Sequence, residues 1–247
     1  MGIITLLTDF GTVDSYIAEV KAEILSRAPD VTLVDISHDV PPGDIRAAQY
    51  LLSRAWKRFP VGTIHLAIVD PAVGTERRAL AAEAAGLQRF LAPDNGLLSF
   101  LPPDARFVVL PVPRDAAPTF HGRDVFAPAV AALALGKRLD QVGESIKQPH
   151  RSPLPTARAQ GDGVIGEVLY VDRFGTLVSN ITPEMVEPGV RIRVAGTEVG
   201  PLRRTFGDAA RGALVAFTGS GGTVEIAVRD GSAARLLGVG VGAEVRA

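Results

Sequence analysis

Ile3-Ile4-Thr5-Leu6-Leu7-Thr8-Asp9, close to the start of the chain, is a continuous apolar run that halts at a polar pair. A strand covered on both faces reads this way, because both sets of its alternating side chains must be apolar. Outward from it, Ile17, Val20, Ile24 and Leu25 recur at helical spacing between Asp14 and Arg27. Asp14 stands where a helix cap is expected, and Pro29 where the helix must close. Thr32–Ile36 predicts a second strand. Asp44–Phe59 predicts a second helix with Ile45, Ala48, Leu52 and Trp56 on one face. Thr63–Val69 predicts a third strand, ending at Asp70-Pro71. Further strands are predicted at Arg89–Leu91 and Arg106–Leu110, and a third helix over Val125–Leu135, ended by Gly136. Strand and helix in alternation predict an α/β fold: a mostly parallel sheet sandwiched between helices, over residues 1–148. Ligands of such sheets sit beyond the carboxyl ends of the strands, which singles out Asp9 and Asp70.

The pattern changes after Lys147. Pro149, Pro153 and Pro155 punctuate a polar stretch, read as a linker over 149–161. Beyond it, short β-like runs at Val164–Val171, Val190–Val194, Ala213–Phe217 and Thr223–Val228 are separated by glycines. They predict a small antiparallel barrel or sandwich domain over 162–247.

Composition narrows the function. A net charge of −1 argues against a general nucleic-acid binder, which needs a basic excess to neutralise phosphates. With no cysteine, thiolate metal sites, disulfides and cysteine nucleophiles are excluded. No apolar run approaches the roughly 20 residues of a membrane helix. No basic leader precedes the first strand, so a cytoplasmic location is expected.

Three motifs could carry chemistry. Thr8-Asp9-Phe10-Gly11 ends a strand, and one carboxylate can take both hydroxyls of a vicinal diol; a strand end with a helix cap is the plain alternative. A kinase Asp-Phe-Gly is rejected, since no glycine-rich loop, strand lysine or His-Arg-Asp loop precedes it. In Asp70-Pro71-Ala72-Val73-Gly74-Thr75-Glu76-Arg77, the turn allows Arg77 to fold back on Asp70, which would serve equally as a surface ion pair. Phe120-His121-Gly122-Arg123-Asp124 places His121 directly before a helix that Asp124 is expected to cap, with Gly122 permitting close approach of a ligand. His65 reads as a strand residue and His150 as a linker residue. In the second half, Asp172-Arg173-Phe174-Gly175 repeats the strand, Asp, Phe-Gly pattern. Thr218-Gly219-Ser220-Gly221-Gly222 is a hairpin or an anion-holding turn; without lysine and a following helix it is no phosphate loop.

Taken in order, these motifs, with Ala92-Pro93-Asp94-Asn95-Gly96-Leu97-Leu98, resemble the S-adenosyl-L-methionine hydroxide adenosyltransferases, adenosine-forming hydrolases related to fluorinases and chlorinases. The resemblance runs from Thr8 to Ala227. It implies an α/β domain followed by a β-barrel, and a homotrimer with active sites between subunits. It also implies S-adenosyl-L-methionine as substrate and no cofactor or metal. By the same resemblance Asp9 holds the ribose hydroxyls, and Asp14, Asp172 and Ser220 face the methionine end. Phe120, Gly122 and Phe174 line the nucleoside pocket. Asp70, Arg77 and His121 match the water-activating trio. Two positions depart from the pattern: Thr176 replaces an adenine-contacting Asn, and Gly221 follows Ser220 where the fluorinases carry Arg.

The implied reaction is attack of water or hydroxide on ribose C5′. Methionine leaves as a neutral thioether, so the difficulty lies in the nucleophile. A halide site should not hold a carboxylate beside the incoming anion, since like charges repel, and Asp70 therefore points to water. Two other readings compete: a non-catalytic sensor of S-adenosyl-L-methionine or adenosine, and a metal-dependent hydrolase using His38, Asp39 and His121.

Overall fold

In a computed structural model that describes residues 2–84 and 88–247, the chain divides into two compact units, Met1–Pro153 and Leu154–Ala247. The first is built on β1 (Ile3–Thr8), α1 (Tyr16–Arg27), β2 (Thr32–Ser37), α2 (Ile45–Ala55), β3 (Ile64–Ile68), β4 (Ala79–Ala84), β5 (Gln88–Pro93), β6 (Arg106–Val109), α3 (Ala127–Ala134) and β7 (Glu144–Ile146). Its seven-stranded sheet has the order β2-β1-β3-β5-β4-β6-β7.

Parallel pairing is confined to β2-β1-β3-β5. The remaining three pairings are antiparallel, so half of the sheet departs from the mostly parallel expectation. The cause is local: three residues separate β4 from β5, whereas a parallel crossover needs about a dozen or more. β4 itself, Ala79-Leu80-Ala81-Ala82-Glu83-Ala84, escapes a sequence reading because alanine favours helix. Paired on both sides and buried along its whole length, it adopts the conformation its neighbours impose.

The helices cover both faces. Ile17, Val20 and Ile24 of α1 and Val130 and Leu133 of α3 join Ile4, Leu6, Ile64, Leu66 and Ile68 in one core. On the opposite face, His65 stacks on Phe90, which meets Trp56 just beyond α2. α2 is capped by Asp44, whose carboxylate accepts the Ala47 N–H at 2.9 Å. The expected cap on α1 does not form. Its N-cap is Ser15, whose hydroxyl donates instead to Glu19, and Asp14 lies exposed in the preceding turn.

The second unit comprises β8 (Arg158–Gln160), β9 (Gly163–Val171), β10 (Leu177–Ser179), β11 (Arg191–Val194), β12 (Thr197–Arg203), β13 (Leu214–Thr218), β14 (Val224–Val228), α4 (Ala233–Leu237) and β15 (Glu244–Arg246). Seven strands close a ring, β9-β10-β14-β13-β12-β11-β15 and back to β9, and β8 adds to β9 outside it. All pairings are antiparallel except β12–β13. Val168, Leu177, Ile192, Val194, Val224, Ile226 and Val245 fill the barrel. The stretch expected as a linker is divided between the units. Arg151 lies over the Phe107 ring in the first, and Arg158–Gln160 forms β8 in the second.

Candidate active site

β1 and β3 lie side by side in parallel, with Thr8 opposite Ile68. Asp9 and Asp70 therefore leave the sheet at adjacent places on its carboxyl edge. They line one cleft of about 270 Å³, together with Phe10, Tyr16, Ile68, Val73, Thr119, Phe120, His121 and Gly122. The Asp9 turn is fixed by its neighbours. Asp9 accepts the Gly43 N–H at 2.8 Å, Thr8 Oγ1 accepts the Phe10 N–H and pairs with His38 Nδ1 at 2.9 Å, and Gly11, at φ +68°, donates to the His38 carbonyl.

Asp70 and Arg77 form a buried pair, their side chains 5% and 8% exposed. Arg77 Nε donates to both carboxylate oxygens, at 2.9 and 2.8 Å, and Nη2 also contacts Oδ2. The same Nη2 meets His121 Nδ1 at 3.2 Å. Arg77 Nη1 is buried and has no hydrogen-bond partner among the described residues. His121 is itself buried. Desolvation pulls its pKa below the ordinary histidine value, the Arg77 charge adds to that shift, and Asp70 and Asp124 oppose it. The net shift favours the neutral imidazole.

Backbone contacts bring the trio together. Asn95 Nδ2 donates to the Val69 carbonyl at 2.8 Å while its Oδ1 accepts the Leu97 N–H. The register between β3 and β5 ends at Leu66 and Leu91, so this side chain satisfies a buried carbonyl beyond the ladder and fixes the peptide that carries Asp70. Gly74, at φ +79°, lies so close to the next loop that a Cβ there would come 2.8 Å from the Pro118 carbonyl oxygen. That approach sets the Asp70–Arg77 turn against the segment leading to His121. Asp124 accepts the Ala117 N–H at 2.8 Å and the Arg123 Nε–H at 2.7 Å. It sits inside a single π-helical turn, Gly122–Phe126, that precedes α3, so it secures the loop instead of capping the helix as expected. Such turns recur at functional sites.

The cleft's apolar wall is aromatic. Tyr16 and Phe120 meet edge to face at 5.4 Å, Phe10 joins both, and the Arg123 guanidinium lies 4.9 Å over Phe120. A Cβ at Gly122 would come 3.3 Å from Ile68 and 3.5 Å from Phe10 and Phe120. The first unit thus gathers Asp9, Asp70, Phe120, His121 and Gly122 around one space, with Arg77 paired to two of them. Tyr16 and Thr119 were not singled out by sequence, and Val73 and Asn95 stood in quoted motifs without an assigned role. Tyr16 carried one usable signal, a large aromatic at the exposed start of a helix.

The other expected residues stand elsewhere. Asp14 does not line the cleft. Asp172 Oδ1 accepts the N–H groups of Phe174 and Thr176, at 2.9 and 2.8 Å, and shapes the β9–β10 turn. Phe174 is 76% exposed and Thr176 is buried. Ser220 is exposed on the β13–β14 turn. Because Leu177 opposes Ile226 and Val178 opposes Glu225, these two turns lie at opposite ends of the β10–β14 pair. Among the described residues, no three His, Asp or Glu gather as a metal site would require. No helix among them is long and apolar enough to cross a membrane.

The chain matches the SAM hydroxide adenosyltransferase N-terminal domain over residues 4–143 and the SAM hydroxide adenosyltransferase C-terminal domain over residues 166–246. It belongs to the SAM hydroxide adenosyltransferase family. It is 43% identical to the (R)-S-adenosyl-L-methionine hydrolase of Thermus thermophilus, with 97% of each chain covered. It is 38% identical to the (R)-S-adenosyl-L-methionine hydrolase of Salinispora tropica, over 98% of this chain and 96% of that one. A fluorinase of Nocardia brasiliensis is 30% identical over 91% of this chain and 89% of its own. Among solved structures, an uncharacterized conserved protein from Thermotoga maritima has a TM-score of 0.90 at 34% identity, with 98% of each chain covered.

Proposed function

We propose that this protein hydrolyses S-adenosyl-L-methionine to adenosine and L-methionine by attack of water or hydroxide at ribose C5′. The observation that carries the reading is the buried Asp70–Arg77–His121 chain, facing the same cleft as Asp9. Asp9, held by the Gly43 N–H, binds the ribose hydroxyls. Phe120 and Gly122 flank the nucleoside in the first unit. Phe174 and Thr176 serve the nucleoside from the second, and Asp14, Asp172 and Ser220 serve the methionine end. The sulfonium needs no acid, because sulfur leaves neutral. The three buried groups act on the nucleophile: Asp70 orients the water, Arg77 favours hydroxide character electrostatically, and His121 hydrogen-bonds to it. A positioned acid–base partner contributes roughly 10²–10⁴-fold. The Asp70 carboxylate in the cleft disfavours a halide as the incoming group. The names of the Thermus and Salinispora relatives support hydrolysis.

A homotrimer with sites shared between subunits and a cytoplasmic location belong to the same proposal. The deciding experiment incubates the purified protein with S-adenosyl-L-methionine and follows adenosine and methionine by chromatography. Adenosine in one-to-one ratio with methionine is expected. Binding of substrate without adenosine above the protein-free control would make the protein a sensor and overturn the proposal.

A further inference from the structure

We infer that His121 enters the reaction only as a neutral hydrogen-bond donor, through Nε2–H, and that the proton lost by the attacking water goes to the Asp70 carboxylate. The inference rests on the hydrolytic reading above and assigns the proton that reading leaves open. It begins with the chemistry of Arg77. A guanidinium has five N–H donors and no acceptor. Its Nη2 lies 3.2 Å from His121 Nδ1, so Nδ1 must present its lone pair there. A neutral imidazole with a bare Nδ1 carries its proton on Nε2.

Both routes by which His121 could act as a base are therefore closed. Nε2 has no lone pair to accept a proton. Nδ1 has one, but it is committed to Arg77, and protonation would set an N–H against an N–H between two cations. The charged groups around the ring agree in sum. Arg77 opposes the imidazolium, Asp70 and Asp124 favour it, and burial opposes it most strongly. Asp9, across the same cleft, is held by the Gly43 N–H and committed to the ribose hydroxyls in the hydrolytic reading above.

Asp70 is the member of the trio able to accept. Its two oxygens offer about four lone-pair directions, and Arg77 does not fill them all. The step then balances. The water oxygen bonds to C5′, the C5′–S bond breaks with its electron pair going to sulfur, and methionine leaves uncharged. The oxygen, now a protonated alcohol, gives one proton to the Asp70 carboxylate, which releases it to solvent. A protonated alcohol is a far stronger acid than a carboxylic acid, so the Asp70 carboxylate is basic enough to take its proton. His121 Nε2–H meanwhile holds the oxygen in line.

The test reads the tautomer directly. Long-range ¹H–¹⁵N NMR of the ¹⁵N-histidine-labelled protein, with His121 assigned by its loss in His121→Gln, is expected to show protonated Nε2 and bare Nδ1 from about pH 6 to pH 8. Kinetics form the second arm. His121→Gln keeps an N–H near the Nε2 position, so its kcat should exceed that of His121→Ala by about tenfold or more, against the roughly 10²–10³-fold cost of losing one such donor. Asp70→Asn should lose more than His121→Gln. A proton on Nδ1, an imidazolium at neutral pH, or His121→Gln as inactive as His121→Ala would overturn the assignment. Absence of any hydrolysis in the unaltered protein would overturn the proposed function instead, and the NMR pattern would still report the tautomer.

Discussion

Asp70 and Arg77 are both more than nine-tenths buried, and each is tolerable there only because the other is present. Removing one partner of such a pair leaves an uncompensated buried charge, at a typical cost of about 3–5 kcal/mol, whereas replacing both by apolar residues is often neutral. Asp70→Ala should therefore lower stability by about 3 kcal/mol or more in a denaturant titration, and the double variant Asp70→Leu with Arg77→Met should recover most of that loss. Neither should regain turnover. A double variant as unstable as Asp70→Ala would mean that the pair does not set stability here. At this scale the sequence was informative about place and silent about contact. Asp9 and Asp70 could be found because each follows a recognisable strand, and the short turn let Arg77 reach back. Asn95 stood inside a motif whose role was open, because its partner, the Val69 carbonyl, lies 26 residues away and becomes its neighbour only once β3 and β5 pair.

Among the connecting elements, the close approach of two loops does most to shape the site. Gly74 needs both its positive φ and its missing side chain, since a Cβ would come 2.8 Å from the Pro118 carbonyl oxygen. Gly74→Ala should lower stability by about 1–3 kcal/mol. It should lower kcat by more than global unfolding explains, since parting the loops draws Arg77 from His121 and a misplacement of about 1 Å can cost 10²-fold. Circular dichroism at the assay temperature, read beside kcat, checks this; unchanged kcat in a folded variant would refute it. β1, β2, β3, α1 and α2 were legible because hydrophobic periodicity is local. β4, whose alanines suggest helix, and β7, three residues long, were not, because sheet pairing alone decides them. The π-helical turn was equally hidden. It takes in one residue more than a regular turn, and with that residue removed the helix would turn His121 by about 100°.

Across the whole first unit, one buried histidine links folding to acidity. His65 is fully buried, stacked on Phe90, with Nδ1 2.8 Å from the Thr5 hydroxyl and Nε2 3.2 Å from Gln88 Oε1. Burial drives its pKa down to about 4, only partly offset by Gln88. The unfolded chain binds this proton near pH 6.5 and the folded chain near 4. Its contribution to stability is therefore complete above about pH 6.5 and is lost as the pH falls from there to about 4, by about 3 kcal/mol in all. Stability measured by urea titration at pH 7 and pH 4.5 should differ by an amount that shrinks in His65→Leu; an equal difference in both proteins would assign the acid sensitivity elsewhere. The order of the two architectures could be read from the change in pattern after Lys147. The closed barrel was expected from the family resemblance, but residue patterns alone left a sandwich equally open, and the parallel β12–β13 pair was not foreseen, since it depends on contacts far apart in the chain. That closure has its own consequence. An open sheet can fray inward from an edge strand, one residue at a time, but β9 and β11 are joined by β15, and β15 is only three residues long. The barrel has no outer strand to peel away, apart from the appended β8, and so it tends to hold its hydrogen bonds together or surrender them together.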